Sequence, residues 1–499
     1  MGHLVVGYGT LARASTVKLD IDPSNTTAVS AVPLIVDLDR ALVQSDLLYE
    51  LLFEAVSVGL KHNLQVARQI WTGRAALKQY LASDCHLDYG SLPYDEQVLK
   101  LIRDAKARGQ DIYLATACDE HHAKAIAEHL GCFDGYFVSI DRRTLSDPHE
   151  GDALVQAFGR NGFDYIGHDA ADLAIWSRAR QAYAVRASSS VLRKLASIRP
   201  GFKTLDHNSV SWRTWAKALR VHQYAKNLLV FVPLVTAHEF AAASLLMAGL
   251  AFMAFSACAS AVYILNDLID LRADRAHPTK RHRPFARGQI PLATGLKVVP
   301  GLLLVSGGLA SLVSVEFTAV LMAYFSLTTA YSLYLKRKIM IDVVVLAMLY
   351  TVRVVAGAVS IEVQVSEWLF AFALLMFTSL ALIKRYVELS TRLDQGLPNP
   401  LNRDYKIGDL NIVAALAAAA GMNAITVLAL YVSSPKVASL YTHPALLWLL
   451  CPVLVYWLGR ALLLAHRRLM DDDPIVFAIR DRNSWAAAAI SAACIVAAM

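Results

Sequence analysis

Charged side chains are scarce in this sequence. Asp, Glu, Lys and Arg make up 18% of its 499 residues, where a soluble protein carries about a quarter. Apolar residues reach 56% and the mean hydropathy is +0.41. A disordered chain, a fibrous chain and a purely soluble enzyme are thereby excluded. No C-x-x-C pair occurs among the six cysteines, Cys85, Cys118, Cys132, Cys258, Cys451 and Cys494. They are expected to be free thiols in a reducing compartment. The N-terminal stretch has no basic region followed by a long apolar run, so no cleaved signal peptide is expected, and Gly2 makes no credible acylation site. No internal repeat is evident. What is present in excess is positive charge, 48 Lys and Arg against 41 Asp and Glu, for a formal net charge of +7. Such a surplus suits nucleic acid or a membrane surface, and the positions of the charges decide between them.

The composition changes near residue 205. Before it, short β-branched runs at 32–37, 111–116, 135–139, 163–167 and 181–185 alternate with helical patterns, which predicts a parallel α/β sheet. Residues 1–30 read as a loose leader. The stretch of about 45–100 lacks a convincing strand and reads as a helical insertion. From about 220 onward come apolar runs long enough to cross a bilayer, for which ~20 residues are needed. Nine are read, at 222–240, 243–265, 294–314, 317–335, 340–360, 367–388, 411–433, 444–465 and 484–499, the first and last being the weakest. The expected fold is an N-terminal α/β domain over 31–205, followed by an all-α polytopic membrane bundle of nine transmembrane helices over 210–499.

Lys and Arg fall in alternate loops. Arg272, Arg275, Lys280, Arg281, Arg283 and Arg287 follow the second run; Lys336, Arg337 and Lys338 the fourth; Lys384, Arg385, Arg392, Arg403 and Lys406 the sixth; Arg467, Arg468, Arg480 and Arg482 the eighth. The opposite loops are nearly bare, Lys436 excepted. Positive loops stay cytoplasmic, so the α/β domain is expected to be cytoplasmic and the C-terminus outside. Topology accounts for the basic surplus, and no nucleic acid partner is expected.

The most specific segment is NDLIDLRADRAHPTKRHRPFARG, residues 266–288. On a helix, Asp267, Asp270 and Asp274 are spaced i, i+3, i+7 and share a face. Converging carboxylates repel one another, and a hard cation such as Mg²⁺ removes that cost while bridging to substrate phosphates. The cations just downstream can hold phosphate oxygens. Arg353 sits inside an apolar run, where a charge is by default a functional candidate.

The N-D-x-x-D-x-x-x-D pattern followed by H-P-x-K-R-x-R-P resembles the first aspartate-rich motif of the UbiA superfamily of intramembrane prenyltransferases. RVHQYAKN (220–227) is similar to that family's entry to the first span; there Arg220, Gln223 and Asn227 share a helical face with Lys226 beside them. YSLYLKR (331–337) is similar to the end of its fourth span. The resemblance implies catalytic roles for Asn266, Asp267, Asp270 and Asp274, with Mg²⁺ on the three aspartates. It implies substrate contacts from Gln223, Lys226, Asn227, Lys280, Arg283, Tyr331, Lys336, Arg337, Arg353, Lys384, Arg385 and Glu388. Members that prenylate aromatic rings carry a second D-x-x-x-D at the end of the sixth span. Here IKRYVELSTRLDQG (383–396) offers Lys384, Arg385 and Glu388, and no aspartate until Asp394.

This departure, with YKIGDL (405–410) and DDPIVFAIRDRNS (472–484), resembles the decaprenyl-phosphate phosphoribosyltransferase branch. That branch implies phosphoribosyl diphosphate as donor and a polyprenyl phosphate as acceptor, for cell-envelope glycoconjugate synthesis. The alternative is transfer from a prenyl diphosphate to an aromatic or quinone precursor. The implied location is a bacterial-type cytoplasmic (inner) membrane, multi-pass, and a homo-oligomer is compatible with it. A transporter is disfavoured because the aspartates gather at a cytoplasmic helix end instead of the midplane.

VDLDRALVQSD (36–46) resembles motif one of the haloacid dehalogenase-like phosphatases, implying Asp37 as nucleophile and Asp39 as acid/base. YLATACDE (113–120) resembles motif two with Thr116, and GHDAADLAIW (167–176) motif four with Asp169 or Asp172 as metal ligands. The fold implied is Rossmannoid, with the 45–100 insertion as its cap. Four departures argue for a degenerate phosphatase site. Arg40 stands in a glycine's place, Ala41 replaces the usual Thr, and His168 holds a motif-four aspartate's place. Only Lys124 lies between Thr116 and Gly167, too close to motif two to be the motif-three lysine.

Overall fold

The computed structural model describes residues 17–21, 31–73, 76–77, 80–81, 87–116, 118–139, 148–205, 210–277, 279–400, 403–470 and 474–499. Cys85, Pro278, most of the leader, and parts of the cap, the motif-three region and the DDPIVFAIRDRNS segment lie outside the described residues. The chain divides into two compact units, Met1–Leu219 with Tyr263–Val298, and Arg220–Val262 with Val299–Met499.

The first unit is built on a seven-stranded sheet: β1 (Val17–Ile21), β2 (Ala31–Asp37), β3 (Gln110–Thr116), β4 (Gly135–Ser139), β5 (Asp164–Gly167), β6 (Gln181–Val185) and β7 (Lys203–Leu205). The order is β1-β4-β3-β2-β5-β6-β7. All neighbours are parallel except β1 and β4. The five strands expected from β-branched runs are β2 to β6. Both edge strands lie outside them: β1 falls within the segment read as a loose leader, and β7 is only three residues long. Alternation along β2 sends Leu34 and Val36 to one core and Ile35 to another, as a parallel sheet covered on both faces requires. Its last residue, Asp37, is thereby delivered to the C-terminal edge of the sheet, where such folds bind ligands.

The insertion after β2 is helical. It contains α1 (Leu47–Val58) and α2 (Leu60–Thr72). Asp46 caps α1 by accepting from the Leu48 amide, and Gly59, at φ +150°, separates the two helices. Helices Glu96–Ala107, Glu120–Leu130, Pro148–Phe158 and Ser189–Ile198 connect the later strands, and the unit also takes in the end of α3 (Ala242–Ile269), the short α4 (Leu271–Ala276), a 3₁₀ turn at Lys280–His282 and the start of α5 (Leu292–Val313).

The second unit is helical. Among the described residues six helical segments are long and apolar enough to cross a membrane: Ala242–Ile269, Leu292–Val313, Ile341–Ser360, Glu367–Asp394, Ile407–Val432 and Pro444–His466. Nine were expected. The run at 222–240 is a 3₁₀ helix, Val221–Phe231, continued by a single helical turn, Val232–Thr236. The run at 317–335 is α6 (Val315–Leu333), diluted by Glu316, Thr318, Ser326, Thr328 and Thr329. The last run is Arg482–Ala498, alanine-rich and 17 residues long. The helices Ile341–Ser360 and Glu367–Asp394 are α7 and α8.

Candidate functional site

The acidic segment sits where α3 hands over to α4. The backbone departs from helical geometry at Asp270 (φ −91°, ψ 16°). The hydrogen-bond ladder nevertheless continues, Asp270 N to Asn266 O at 2.9 Å and Asp274 N to Asp270 O at 2.8 Å. Asp267 and Asp274 therefore stay on one side, as the spacing predicts. Both are buried, at 2% and 3% exposure. Arg283 Nη1 donates to both, at 3.1 Å to Asp267 Oδ1 and 2.6 Å to Asp274 Oδ2. The sequence assigned Arg283 to substrate phosphate, and here its guanidinium lies against the carboxylates instead. Burial pushes the Asp274 carboxyl up to about 6 against the lowering effect of Arg283, with Asp267 adding to the rise. Two buried carboxylates converging on one cationic group form an all-oxygen donor set, which fits Mg²⁺. Asn266 and Asp270 are half-buried beside them, and Lys280 is exposed on its 3₁₀ turn.

In the second unit, Arg353 on α7 is buried and fully engaged. Its Nε donates to Asn227 Oδ1 at 2.9 Å and its Nη2 to the Tyr324 hydroxyl at 2.9 Å. Nη1 donates to the Leu349 carbonyl. Asn227 Nδ2 donates in turn to Ser256 Oγ at 3.1 Å. Arg353 therefore ties three helical segments together within the unit. Lys226 Nζ lies 5.6 Å from the Tyr350 ring centroid, a cation–π distance. The 3₁₀ geometry regroups the expected face, since residues three apart eclipse: Gln223 and Lys226 share one ridge and Asn227 joins Tyr224 on the next, while Arg220 precedes the helix at φ +53°. Tyr331, Lys336 and Lys384 are half-buried and Arg337 is exposed.

Arg385 and Glu388, expected to face substrate, belong to a network around Asp342. That carboxylate is 1% exposed. It accepts from Tyr405 Oη at 2.7 Å and from Arg403 Nη1 at 3.3 Å, and lies 3.6 Å from Arg385 Nε. Arg385 Nη1 also bonds Glu388, and Glu388 is 3.6 Å from Arg403 Nε. Asp394, the one aspartate near the end of α8, pairs with Arg468 at 2.5 Å. The sequence reading passed over Asp342, although a carboxylate in the apolar run IDVVVLAML is the same kind of signal as Arg353.

In the α/β domain, His168 sits between the carboxylates of Asp37 and Asp172, which the sequence motifs single out. Its Nδ1 is 3.0 Å from Asp37 Oδ2. Burial opposes a charged imidazole. The hydrogen bond to Asp37, with the charges of Asp37, Asp172 and Asp169, outweighs burial and pushes the pKa up to about 9. Burial also raises the Asp37 carboxyl, against the His168 hydrogen bond. Asp172 accepts from the His168 amide at 2.7 Å, the Asp169 amide at 2.9 Å and the Tyr165 hydroxyl at 3.1 Å. This arrangement needs Gly167, since a Cβ there would meet Asp172 at 2.6 Å.

Asp37, His168 and Asp172 offer ligand atoms within 4.8 Å of one another, a nitrogen–oxygen set that suits borderline metals better than Mg²⁺. Asp169 is half-exposed and accepts from the Ala171 amide. Asp39 Oδ1 accepts from the Leu47 amide at 2.7 Å, and Thr116 Oγ1 from the Cys118 amide at 3.0 Å. Arg40 is held at φ +56°, a backbone state that favours glycine, and its carbonyl accepts from Arg186 at 3.0 Å. Lys124 is exposed and 3.9 Å from Glu128.

Comparison with known proteins bears on the membrane half and on the whole chain. An uncharacterized protein, y4nM, from Sinorhizobium fredii is 39% identical over 473 residues, covering 94% of this chain and 91% of that protein. The nodulation protein NoeC from Azorhizobium caulinodans is 36% identical over 280 residues, 55% of this chain and 90% of that one. A decaprenyl-phosphate phosphoribosyltransferase from Mycobacterium tuberculosis is 36% identical over 184 residues, 35% of this chain and 59% of the relative. The model of the UbiA prenyltransferase family matches residues 228–493. With more than half of its length so matched, the chain belongs to the UbiA prenyltransferase family.

Proposed function

We propose that this UbiA-family transferase moves 5-phosphoribose from phosphoribosyl diphosphate to a polyprenyl phosphate in a Mg²⁺-dependent reaction. The observation that carries the choice of donor is the end of α8. Where a second aspartate pair would bind a second metal, Arg385 is buried against Asp342 and Glu388, and Asp394 is paired with Arg468. A single acidic cluster suits one metal–diphosphate. The similarity to the mycobacterial decaprenyl-phosphate phosphoribosyltransferase supports the same donor.

In this reading Asp267, Asp270 and Asp274, assisted by Asn266, hold Mg²⁺. Bound there, the ion neutralises the departing diphosphate. The C1–oxygen bond of the ribose breaks with its electron pair leaving on diphosphate, and an oxygen of the lipid phosphate forms the new bond to C1. The lipid phosphate is already anionic at neutral pH, so no strong base is required. Arg283, which contacts Asp267 and Asp274, would be the cation closest to diphosphate oxygens held at these carboxylates, with Lys280 nearby in sequence. Gln223, Lys226, Lys336, Arg337 and Lys384 are the candidates for the phosphates of lipid and ribose, with Tyr331. Arg353 and Asn227 set the helix positions from which they act.

The α/β domain, 31–205 with its cap at about 45–100, is proposed to be a degenerate phosphatase. His168 supplies a positive charge beside Asp37 where phosphatase chemistry uses a metal, and Asp39 and Asp172 are occupied by backbone amides. The deciding experiment gives purified protein, Mg²⁺ and polyprenyl phosphate first labelled phosphoribosyl diphosphate, then a labelled prenyl diphosphate with an aromatic acceptor. Label entering lipid only from the first supports the proposal; label transferred only from the second makes the protein an aromatic prenyltransferase.

A further inference from the structure

The phosphatase-like domain and the acidic segment belong to the same compact unit, and one buried ion pair joins them. Glu50, in the first turn of α1, is 3% exposed. Arg275 on α4 grips it with both ends of its guanidinium, Nη1 to Oε2 at 2.9 Å and Nη2 to Oε1 at 2.7 Å. Ser45 Oγ donates to the same carboxylate, at Oε1. The third guanidinium nitrogen of Arg275, Nε, donates to the Ala286 carbonyl at 3.0 Å. Beside the pair, Arg272 meets Glu54 at 2.8 Å. Gly288, at φ +69°, lies so near Gln44 that a Cβ there would meet the Gln44 Cβ at 2.6 Å.

We propose that the α/β domain braces the acidic segment of the transferase, and that Arg275 is the positioning residue through which the brace acts. This rests on the reading of Asp267, Asp270 and Asp274 as the metal site. Arg275 follows Asp274 directly. Its guanidinium fixes α4 on one side to Glu50 and on the other to Ala286, in the loop that carries Arg283. Arg283 in turn contacts Asp267 and Asp274, so the carboxylates, α4 and the loop form a closed ring with Glu50 as its outside anchor.

A positive loop that merely marked membrane sidedness would leave its arginines solvated. Here the pair's side chains are 8% and 3% exposed. A buried pair gains little net stability, because desolvation offsets its attraction, but it fixes one geometry. On the proposed reading of a degenerate phosphatase site, the surface of the domain that matters is the start of the cap helix, and Asp39 contributes by holding it through the Leu47 amide.

The test measures Mn²⁺ binding to the full-length protein in lipid nanodiscs by electron paramagnetic resonance, in an Asp37→Asn background so that the trio in the α/β domain adds no site. Glu50→Gln and Arg275→Gln are each expected to weaken Mn²⁺ affinity about tenfold, the usual size when support around metal ligands is lost. The Mg²⁺ concentration for half-maximal transfer should rise equally, while kcat at saturating Mg²⁺ changes little. Arg272→Gln, at the exposed pair, should leave both unchanged. Should the single variants not accumulate, Glu50→Leu with Arg275→Met replaces the pair by apolar groups, which folds tolerate, and the same tenfold loss is expected. Unchanged Mn²⁺ affinity in folded variants overturns the brace. Asp267→Asn measured alongside separates the two readings: if it too binds Mn²⁺ normally, the metal site itself is wrong and both fall.

Discussion

Replacing His168 by Gln tests the charge at the centre of the phosphatase-like site. An unfolded histidine titrates near 6.5, and in the folded protein His168 titrates at about 9. A group whose pKa is raised by folding contributes stability that is fully present below the unfolded value and disappears as the pH climbs through the folded one. The difference of roughly 2.5 at ~1.4 kcal/mol each gives an upper bound of about 3.5 kcal/mol. The raised Asp37 carboxyl works the other way, since a buried carboxylate costs stability once ionised, so a net effect of about 1–3 kcal/mol is expected. Pulse proteolysis of the full-length protein across urea, reading the N-terminal domain, measures it. Wild type should exceed His168→Gln by that margin at pH 6, and the margin should close between pH 7 and 10. A margin that is constant across this range, or that grows with pH, would refute the ion-pair account and leave His168 as a neutral spacer.

Three further outcomes are expected. Asp267→Asn or Asp270→Asn should lower lipid labelling by about a thousandfold or more, since several kcal/mol of leaving-group stabilisation is lost; chelation with EDTA should do the same to wild type and be reversed by Mg²⁺. Asp37→Asn should leave transfer intact, and residues 1–205 should release little inorganic phosphate from the phosphoribosyl lipid; rapid Asp37-dependent release would make the chain a two-step enzyme. Sidedness reporters at residue 205 and at the C-terminus should read cytoplasmic and external respectively, and the same side for both would mean an even number of crossings.

The sheet was readable because β2 to β6 are short, β-branched and buried on both faces, a pattern set by local sequence. β1 and β7 are edge strands held by pairing with β4 and β6; β1 (VKLDI) alternates apolar and polar residues but is only five residues long, and β7 is three. The acidic segment was readable because its spacing survives the departure at Asp270. The Glu50–Arg275 pair was not: a glutamate in a first helical turn reads as a solvated dipole partner, and its arginine lies 225 residues away. The Asp342 network was half-readable, since one buried carboxylate in an apolar run is visible, but the convergence of Arg385, Arg403 and Tyr405 on it depends on tertiary packing.

The 3₁₀ helix Val221–Phe231 has a metric consequence. A 3₁₀ helix rises about 2.0 Å per residue against 1.5 Å for an α-helix. This helix with the turn Val232–Thr236 therefore reaches roughly 30 Å with fewer residues than the ~20 an α-helix needs for the same hydrocarbon thickness. The three-residue turn also sets its wiring. Tyr224, Asn227 and Val230 stack in one line and meet Ser260, Ser256 and Gly357 in turn. Rewound as an α-helix, the same line would rotate by about 60° every three residues, and Val230 would turn away from Gly357 while Tyr224 still met Ser260. Reach and register are thus a single choice here, and a substitution that favours α-helical winding in this segment would shorten it and misalign its contacts together.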